Sequence, residues 1–344
     1  MIRPYARLFC AVAPIVLFAP VFQAAAQQHV PPAPASSGQQ APAGPATPAA
    51  TLAAPAPTAA PMFPKPNPAN FTAAVPTKET VDAFLNANWG YDENRVWQVE
   101  AILKTPIDGV SKVIVYIGDK TGQQKPAAFA FFAMPDGKHI IAANNIMSFG
   151  DHPFADARAT LQQRADGPYR GSASKDLEIV EFADFQCPHC KAAQADMDQL
   201  VTDFPKARIV FQIFPIAAIH PQSLRAAEYG VCVNKLGGSA AFFQYAASVF
   251  NGQDGLATPD GATLTLNSAI VKAGLDPAKV SACSAGPDVK ATVDQSLKLA
   301  SDLGINEVPT LVINGREIPI GAVPYSVLKK IVDFQAKLDG VPLQ

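Results

Sequence analysis

The segment Cys187-Pro188-His189-Cys190 carries the residues best suited to chemistry in this chain. Two thiols separated by two residues can close into a small disulfide ring and open it again by exchange with another thiol. The apolar run 177–185 predicts a strand before the motif, and the spacing after it predicts a helix. At a helix N-terminus, unpaired N–H groups and the dipole favour the nucleophilic thiolate of the first cysteine. Pro188 suits the first helical position, and a protonated His189 would stabilise the thiolate further.

Two other interpretations of the motif follow from the same residues. A Cys-x-x-Cys pair can be half of a zinc site, but the sequence has no second pair and no His-x₃₋₅-His. Cys232 and Cys283 stand far apart and have no histidine nearby. A static disulfide between Cys187 and Cys190 would close too short a loop to constrain the unfolded chain much. The motif therefore favours redox chemistry and predicts no metal ion.

Length, charge and the first residues limit the class of protein. With 344 residues the chain is long enough for two domains, and its net charge of −2 gives no reason to expect nucleic-acid binding. Arg3 and Arg7 precede an apolar stretch that ends before three alanines, which is the layout of a secretory signal peptide over residues 1–26. Removal of the signal, with Cys10, would leave four cysteines, a number suited to an oxidising compartment. An uncleaved membrane anchor is the alternative.

Two segments follow the signal. Residues 27–76 are rich in proline and alanine, with 12 prolines between Pro31 and Pro68, and predict a disordered, extended linker. Residues 77–167 predict a small α+β domain with no catalytic cluster. Its predicted elements are a helix that Thr77 caps and that ends near Gly90, strands at 95–103, 110–117, 127–134 and 139–143, and a helix at 154–164.

The remaining residues, 175–344, alternate between strand and helix patterns and predict an α/β domain. The apolar stripe after the motif ends at Pro205. The predicted elements are a strand at 177–185, a helix up to residue 204, a strand at 208–213, a largely helical region at 221–282, a helix at 289–303, a strand at 310–313 and a turn at Asn314-Gly315.

This order of elements, with the dithiol motif and Val308-Pro309-Thr310, resembles the thioredoxin fold in its DsbA-like form, which has a helical insertion. The resemblance implies that Val308, Pro309 and Thr310 form a cis-proline loop that binds substrate. It implies that Glu181 is a buried acid that assists proton transfer at the second thiol; an exposed strand-end carboxylate is the alternative. A disulfide between Cys232 and Cys283 is also implied, with two buried free thiols as the alternative. His220 lies at the entry to the helical region and is expected to be structural.

The sequence from Phe131 to Ile141 resembles the N-terminal dimerisation domain of the DsbC/DsbG disulfide isomerases. This resemblance implies a homodimer joined through the small domain, and a monomeric accessory domain is the alternative. His139 and His152 have no cysteine or paired carboxylate at ligand spacing, so we expect both to be structural or at the surface.

Together these features predict an extracytoplasmic, periplasmic thiol–disulfide oxidoreductase in which Cys187 attacks and Cys190 resolves. The motif and Val308 favour a DsbA-like oxidase, whereas the small domain favours a dimeric isomerase. Glu307 stands where glycine is common in the family, and its charge would raise the pKa of Cys187. A secreted chaperone or adhesion module with a static disulfide is the alternative from another class. We expect no cofactor; the expected partners are proteins with thiols or disulfides and a redox partner that recycles the dithiol.

Overall fold

A computed structural model describes residues 62–122, 125–143, 145–321 and 323–343 of the chain. The predicted signal peptide and the part of the predicted linker before Met62 lie outside these ranges. Within the described ranges no helix is long and apolar enough to cross a membrane. The described residues contain two five-stranded sheets with helices packed on them.

The first sheet is antiparallel throughout, and its five strands lie in chain order. Side chains alternate between its two faces: Val113 and Val115 are fully buried under a helix, whereas Lys112 and Ile114 are half-buried on the other face. The elements are α1 (Lys78–Trp89), β1 (Arg95–Lys104), β2 (Ser111–Asp119), β3 (Ala127–Ala133), β4 (His139–Ala142) and β5 (Asn145–Ser148).

Helix α1 has the predicted bounds. The Thr77 hydroxyl accepts a hydrogen bond from the Thr80 N–H, and Gly90 follows the last helical residue. Val81 and Leu85 lie on one face of the helix and pack into the core of the first sheet. Strand β5 was not predicted, because it has only four residues and most of them are exposed, so no alternation marks it.

Residues 68–75 lie along the first sheet, inside the segment for which the sequence predicts a linker. Phe71 forms a parallel bridge with Ile102, and the Ala73 N–H donates to the Ile102 carbonyl over 3.0 Å. The Ser111 hydroxyl donates to the Val75 carbonyl over 2.6 Å. The linker predicted to run to Pro76 therefore ends earlier, because one aromatic side chain and a few backbone hydrogen bonds hold this stretch against β1 and β2.

The second sheet is mixed. Its centre is β7 (Glu178–Ala183), which pairs in parallel with β8 (Arg208–Ile213) and antiparallel with β9 (Thr310–Ile313). Every side chain of β7 and β8 is buried, as expected for strands covered on both faces. The short edge strands, β6 (Tyr169–Gly171) next to β8 and β10 (Arg316–Pro319) next to β9, were not predicted. Strand β6 has three residues, and two of the four residues of β10 are charged, so neither shows the apolar run that marks β9.

Helices cover both faces of the second sheet. Met197 of one helix and Leu328 of another pack with Ile179 on one face, and Leu161 and Leu299 pack with Val180 on the other. This three-layer arrangement confirms the predicted α/β architecture. The four helices are α2 (Ala155–Arg164), α3 (Pro188–Asp203), α7 (Pro287–Asp302) and α8 (Tyr325–Leu338).

Helix α2 packs on the second sheet, although the sequence predicts it as the last element of the small domain. Leu161 and Ala165 are buried in the same core as Val180 and Phe182. The predicted domain boundary after Gly167 is therefore too late. Only one side chain within α2 is buried, so the sequence pattern does not show which sheet the helix covers.

The predicted helical region between β8 and α7 consists of α4 (Ser223–Asn251), α5 (Pro259–Lys272) and α6 (Pro277–Ser284). Helix α4 contains a break at Gly238, whose φ of 75° lies in the left-handed region that favours glycine. A disulfide joins Cys232 of α4 to Cys283 of α6, which is the pairing implied by the family resemblance.

A buried arginine joins the second sheet to α1. In Arg316, Nη1 donates to the Asn88 carbonyl over 3.0 Å, Nη2 donates to the Ala87 carbonyl, and Nε donates to Gln335 Oε1 over 2.9 Å. Ala87 and Asn88 belong to the last turn of α1, where carbonyls lack partners within the helix and a cation is favourable. Burial lowers the pKa of Arg316 to about 10, so the side chain remains a cation at neutral pH.

We expect Arg316→Lys to lower the free energy of unfolding by about 2 to 4 kcal/mol, because a single ammonium group cannot replace three N–H donors in a fixed fork. Urea denaturation would measure the change. Arg164→Lys, in a partly exposed ion pair with Asp302, is the matched control and should change stability by less than about 1 kcal/mol. Equal losses in the two variants would contradict the assigned role of Arg316.

Candidate active site

The dithiol motif lies where β7 ends and α3 begins. Cys187 is the residue before the helix, Pro188 occupies the first helical position as predicted, and the Lys191 N–H donates to the Cys187 carbonyl over 3.1 Å. Both thiols are free, so the structure describes the reduced form. Cys187 keeps 6% of its surface exposed and Cys190 none. Only the first thiol can therefore be reached by another molecule.

The surroundings of Cys187 favour its thiolate. A hydrogen bond from the Cys190 thiol is the largest of the interactions that lower the pKa of Cys187 from 9.0 to about 6. The backbone N–H groups of Cys190 and His189 and the charge of His220 act in the same direction, whereas burial opposes them. With this pKa, about nine-tenths of Cys187 is thiolate at pH 7.

The surroundings of Cys190 have the opposite effect. Its hydrogen bond to the Cys187 sulfur and its burial raise its pKa far above the ordinary value, and the charges of Cys187 and Glu181 raise it further. The Asp184 N–H donates to the Cys190 Sγ over 3.4 Å and opposes this rise. Within one helical turn the protein thus stabilises one thiolate and one thiol.

The contribution of His189 to Cys187 comes from its backbone N–H, whereas the sequence analysis assigns that contribution to its imidazole. The His189 side chain is exposed. The imidazole whose charge lowers the pKa of Cys187 belongs to His220, which we expected to be only structural. His220 Nδ1 lies 2.9 Å from Asp184 Oδ2.

The helical insertion holds the loop that leads into α3. Gln253 Nε2 donates to the carbonyls of Phe185 and Cys187, over 2.9 and 3.0 Å. Gln186 Nε2 donates to the Leu256 carbonyl over 3.2 Å, and Gln186 Oε1 accepts from the Gln222 N–H over 2.8 Å. The position of Cys187 is therefore fixed from the insertion side as well as by α3.

The predicted cis-proline loop lies beside the first thiol. The peptide bond between Val308 and Pro309 is cis, and the Val308 carbonyl lies 4.0 Å from the Cys187 sulfur. Thr310 is buried, and its hydroxyl donates to the Glu307 carbonyl over 2.8 Å. The Glu307 side chain is exposed, and its charge raises the pKa of Glu317 after the larger effect of burial. The pKa of Cys187 is lowered overall, whereas the charge of Glu307 was expected to raise it.

Glu181 is buried within β7, so the alternative of an exposed carboxylate is wrong. Gln194 Nε2 donates to Glu181 Oε1 over 2.8 Å and to the Cys190 carbonyl over 3.1 Å. Burial raises the pKa of Glu181 to about 7, and the hydrogen bond from Gln194 opposes that rise. The carboxyl group can therefore take up or release a proton near neutral pH.

Sequence reasoning missed Asp184 and Gln253 and assigned His220 only a structural role. Asp184 stands three residues before Cys187, in the turn after a buried strand. A carboxylate so close to the dithiol was the feature of the sequence that could have indicated its role. Gln253 lies 66 residues after Cys187, and nothing in the pattern connects the two. Within the described ranges no three His, Cys, Asp or Glu side chains are arranged to hold a metal ion.

Several solved structures resemble this chain. A thioredoxin-like oxidoreductase from Silicibacter pomeroyi DSS-3 is 27% identical, with 52% of this chain and 98% of that chain covered and a TM-score of 0.45. The thiol-disulfide exchange protein alpha-DsbA2 from Wolbachia pipientis is 25% identical, with 52% and 95% covered and a TM-score of 0.44.

Curated relatives match over shorter shares of their length. The Na(+)/H(+) antiporter NhaA 1 of Salinispora arenicola (strain CNS-205) is 37% identical over 59 residues, which are 17% of this chain and 9% of that protein. NhaA 1 of Mycobacterium sp. (strain KMS) is 28% identical over 158 residues, 43% of this chain and 23% of that protein. The chain thus spans less than a quarter of the length of these relatives.

The family comparison agrees with the geometry. A family model described as thioredoxin matches residues 163–334, which is half of the chain. The matched range contains the β7–α3–β8 unit, both free cysteines and the loop with the cis proline. The domain therefore has the thioredoxin fold, and the chain belongs to the thioredoxin family.

Proposed function

We propose that this chain is an extracytoplasmic thiol–disulfide oxidoreductase that exchanges disulfides with protein substrates through Cys187 and Cys190. The observation that carries the proposal is the opposite protonation of the two thiols. The pKa of Cys187 is lowered to about 6 at the start of α3, whereas burial and the neighbouring sulfur raise that of Cys190. A partly accessible thiolate beside a buried thiol is the arrangement that exchange chemistry requires.

The reaction begins on the oxidised form of the pair. A substrate thiolate attacks the Cys187 sulfur, the Cys187–Cys190 bond breaks, and its electron pair leaves on Cys190, which takes up a proton. A second substrate thiolate then attacks the substrate sulfur of the mixed disulfide, and Cys187 leaves as thiolate. Two substrate thiols become one disulfide, and the enzyme pair is reduced. A stable Cys187 thiolate is a good leaving group, which favours the oxidase direction.

Val308, Pro309 and Thr310 are the proposed substrate-binding residues. The Val308 carbonyl is 4.0 Å from the Cys187 sulfur, so a substrate backbone lying along this loop would bring its cysteine next to Cys187. Signal-peptide features at residues 1–26 and four remaining cysteines support a location outside the cytoplasm. The recycling partner is a protein dithiol or disulfide with a suitable potential.

Cys190→Ala should accumulate mixed disulfides through Cys187 when it is mixed with disulfide-bonded protein substrates. The Cys187 thiolate attacks one sulfur of the substrate disulfide, the other substrate sulfur leaves as thiolate, and no Cys190 thiol is present to resolve the product. Cys187→Ala should accumulate none, because Cys190 is fully buried. Non-reducing electrophoresis followed by peptide mapping would identify the linked cysteine. Trapping by Cys187→Ala alone would reverse the assignment. Failure of the unaltered protein to exchange with glutathione would instead favour the static disulfide of a chaperone or adhesion module.

Glu181 is the proposed proton donor and acceptor for Cys190. The charge of Glu181 acts on Cys190, and Gln194 donates hydrogen bonds to the Glu181 carboxyl group and to the Cys190 carbonyl. A pKa near 7 suits both release and uptake of a proton. An acid whose pKa is raised from 4.5 to about 7 by folding binds more protons in the folded state between these values. The protein therefore loses stability as the pH rises through this window.

Glu181→Gln should abolish that loss. Relative to the unaltered protein, the variant should gain up to about 3 kcal/mol in the free energy of unfolding between pH 4.5 and pH 8. Urea denaturation of both proteins in the reduced state would measure the difference between their free energies of unfolding. Both proteins contain Cys187, so the contribution of its titration cancels in that difference. Glu93→Gln, at an exposed position, is the control. A difference that does not depend on pH would contradict an ionising Glu181.

A homodimer formed through the small domain is the second part of the proposal, and it is the arrangement that would favour isomerase activity. Phe132, Ile141 and Ile146 face each other across β3, β4 and β5 and form an apolar row on the face that α1 does not cover. Phe132 is 41% and Ile146 is 72% exposed. An exposed apolar row beside an edge strand is typical of an interface, and a two-fold pair is the commonest closed arrangement.

Light scattering on the chain from Gln27 onwards should give twice the monomer mass at micromolar concentration. The double variant Phe132→Glu and Ile146→Glu should be monomeric, because burying two carboxylates at the interface is unfavourable. Leu264→Glu, at an exposed apolar position on α5, should remain dimeric. A monomeric unaltered protein would remove the support for the isomerase and leave the oxidase as the better proposal.

A further inference from the structure

The buried residue Asp184 forms hydrogen bonds with both reactive cysteines and contacts His220, which lies 36 residues later in the sequence. The backbone N–H of Asp184 donates to the Cys190 sulfur over 3.4 Å, and its carbonyl accepts from the Cys187 N–H over 3.1 Å. The side chain contacts the loop after β8. There Oδ2 accepts from the Ile216 N–H over 2.7 Å and lies 2.9 Å from His220 Nδ1, while Oδ1 accepts from the Gln186 N–H over 2.7 Å.

These contacts fix the orientation of His220. An ionised carboxylate can only accept hydrogen bonds, so Nδ1 of the ring must carry the proton that lies between it and Asp184. The backbone N–H of His220 donates to the Ile216 carbonyl over 2.9 Å, and this bond holds the backbone of the loop. The His220 side chain is 16% exposed, whereas that of Asp184 is not exposed at all. The carboxylate is thus shielded from water, and the imidazole lies between it and the surface.

The buried carboxylate of Asp184 already accepts hydrogen bonds from two backbone N–H groups. A buried carboxylate remains costly unless a cation accompanies it, so His220 also stabilises Asp184. Among the described residues, His220 is the one ion-pair partner found for Asp184. The charge of His220 also lowers the pKa of Cys187, whereas the His189 side chain, in the motif itself, is exposed.

We propose that Asp184 is a positioning residue that orients His220 towards the dithiol, and that the charge of protonated His220 stabilises the Cys187 thiolate. This inference rests on the proposed exchange function. The pair acts when the mixed disulfide is attacked: the bond between Cys187 and the substrate sulfur breaks, and its electron pair stays on Cys187. His220 gives up no proton in this step; its positive charge lowers the energy of the departing thiolate.

Other ionisable groups belong to the elements that carry the dithiol and the cis-proline loop, and they must stay unchanged in a test. They are Cys190 and His189 of α3, Glu181 of β7 and Glu307 in the loop before β9. The chain also contains a matched control, because His139 Nδ1 contacts Asp136 Oδ2 at 2.5 Å in the small domain. That pair is exposed and lies in the turn between β3 and β4.

The test is a double-mutant cycle on the reduced full-length protein, with thiolate absorbance followed against pH. His220→Gln keeps a side-chain donor for Asp184 and removes the charge, so it should raise the pKa of Cys187 by about 0.5 to 1 unit. At pH 7 the equilibrium constant for disulfide exchange with glutathione should change about threefold to fivefold towards a less oxidising enzyme. His139→Gln should change neither value.

The second arm tests the positioning role of Asp184. In an Asp184→Asn background, which keeps the shape of the side chain and one of its two acceptor oxygens, His220→Gln should shift the pKa of Cys187 by less than about 0.2 unit. The same shift in both backgrounds, or no shift in either, would overturn the proposal. If the unaltered protein does not exchange with glutathione at all, the proposed function fails, whereas normal exchange without a histidine effect removes only this inference. Circular dichroism spectra would confirm that the variants fold.

Discussion

Two thiols within one helical turn cannot both ionise, and the rest of this structure depends on which of them does. The start of α3 gives Cys187 backbone N–H groups and a hydrogen bond from Cys190, while Cys190 is completely buried and lies near Glu181. These surroundings lower the pKa of Cys187 and raise that of Cys190. Because a thiolate one turn deeper would lose solvent and gain a negative neighbour, the chemistry can run in only one order, with Cys187 first.

Keeping this small site in one geometry requires contacts from distant parts of the chain. Gln253 and Gln186 tie the loop before α3 to the helical insertion, and Asp184 ties it to the loop after β8. Each contact satisfies a buried polar group that would otherwise destabilise the fold. The insertion is therefore part of the site, since its removal would take away the Gln253 donor to the Phe185 and Cys187 carbonyls and both partners of the Gln186 side chain.

Periodicity in the sequence was enough to predict the framework that carries the dithiol. Strand β8 has the predicted bounds, the long buried strand β7 and helix α3 were placed within a few residues, and Thr77 caps α1 as its side chain predicts. The edge strands β5, β6 and β10 were missed because they are short and are mostly not buried, so no apolar run marks them. Asp184 and His220 are 36 residues apart in sequence and meet only because β7 and β8 are adjacent and parallel. A contact between residues at the ends of two neighbouring strands depends on the order of strands in the sheet, and local sequence patterns do not predict that order.

The size of the thiolate effect limits what it can explain about the direction of electron flow. A pKa lowered from 9.0 to about 6 stabilises the reduced protein at pH 7 by roughly 1.4 kcal/mol, which is about 30 mV for a two-electron couple. That difference favours donation of the disulfide, but it is small beside the span of potentials known for thioredoxin-like proteins. The protein partners that can reach Cys187 must therefore contribute to the direction. A dimer that encloses two Cys187 sites would restrict that access, and in the proposed dimer the apolar row on β3, β4 and β5 would affect the reaction in this way.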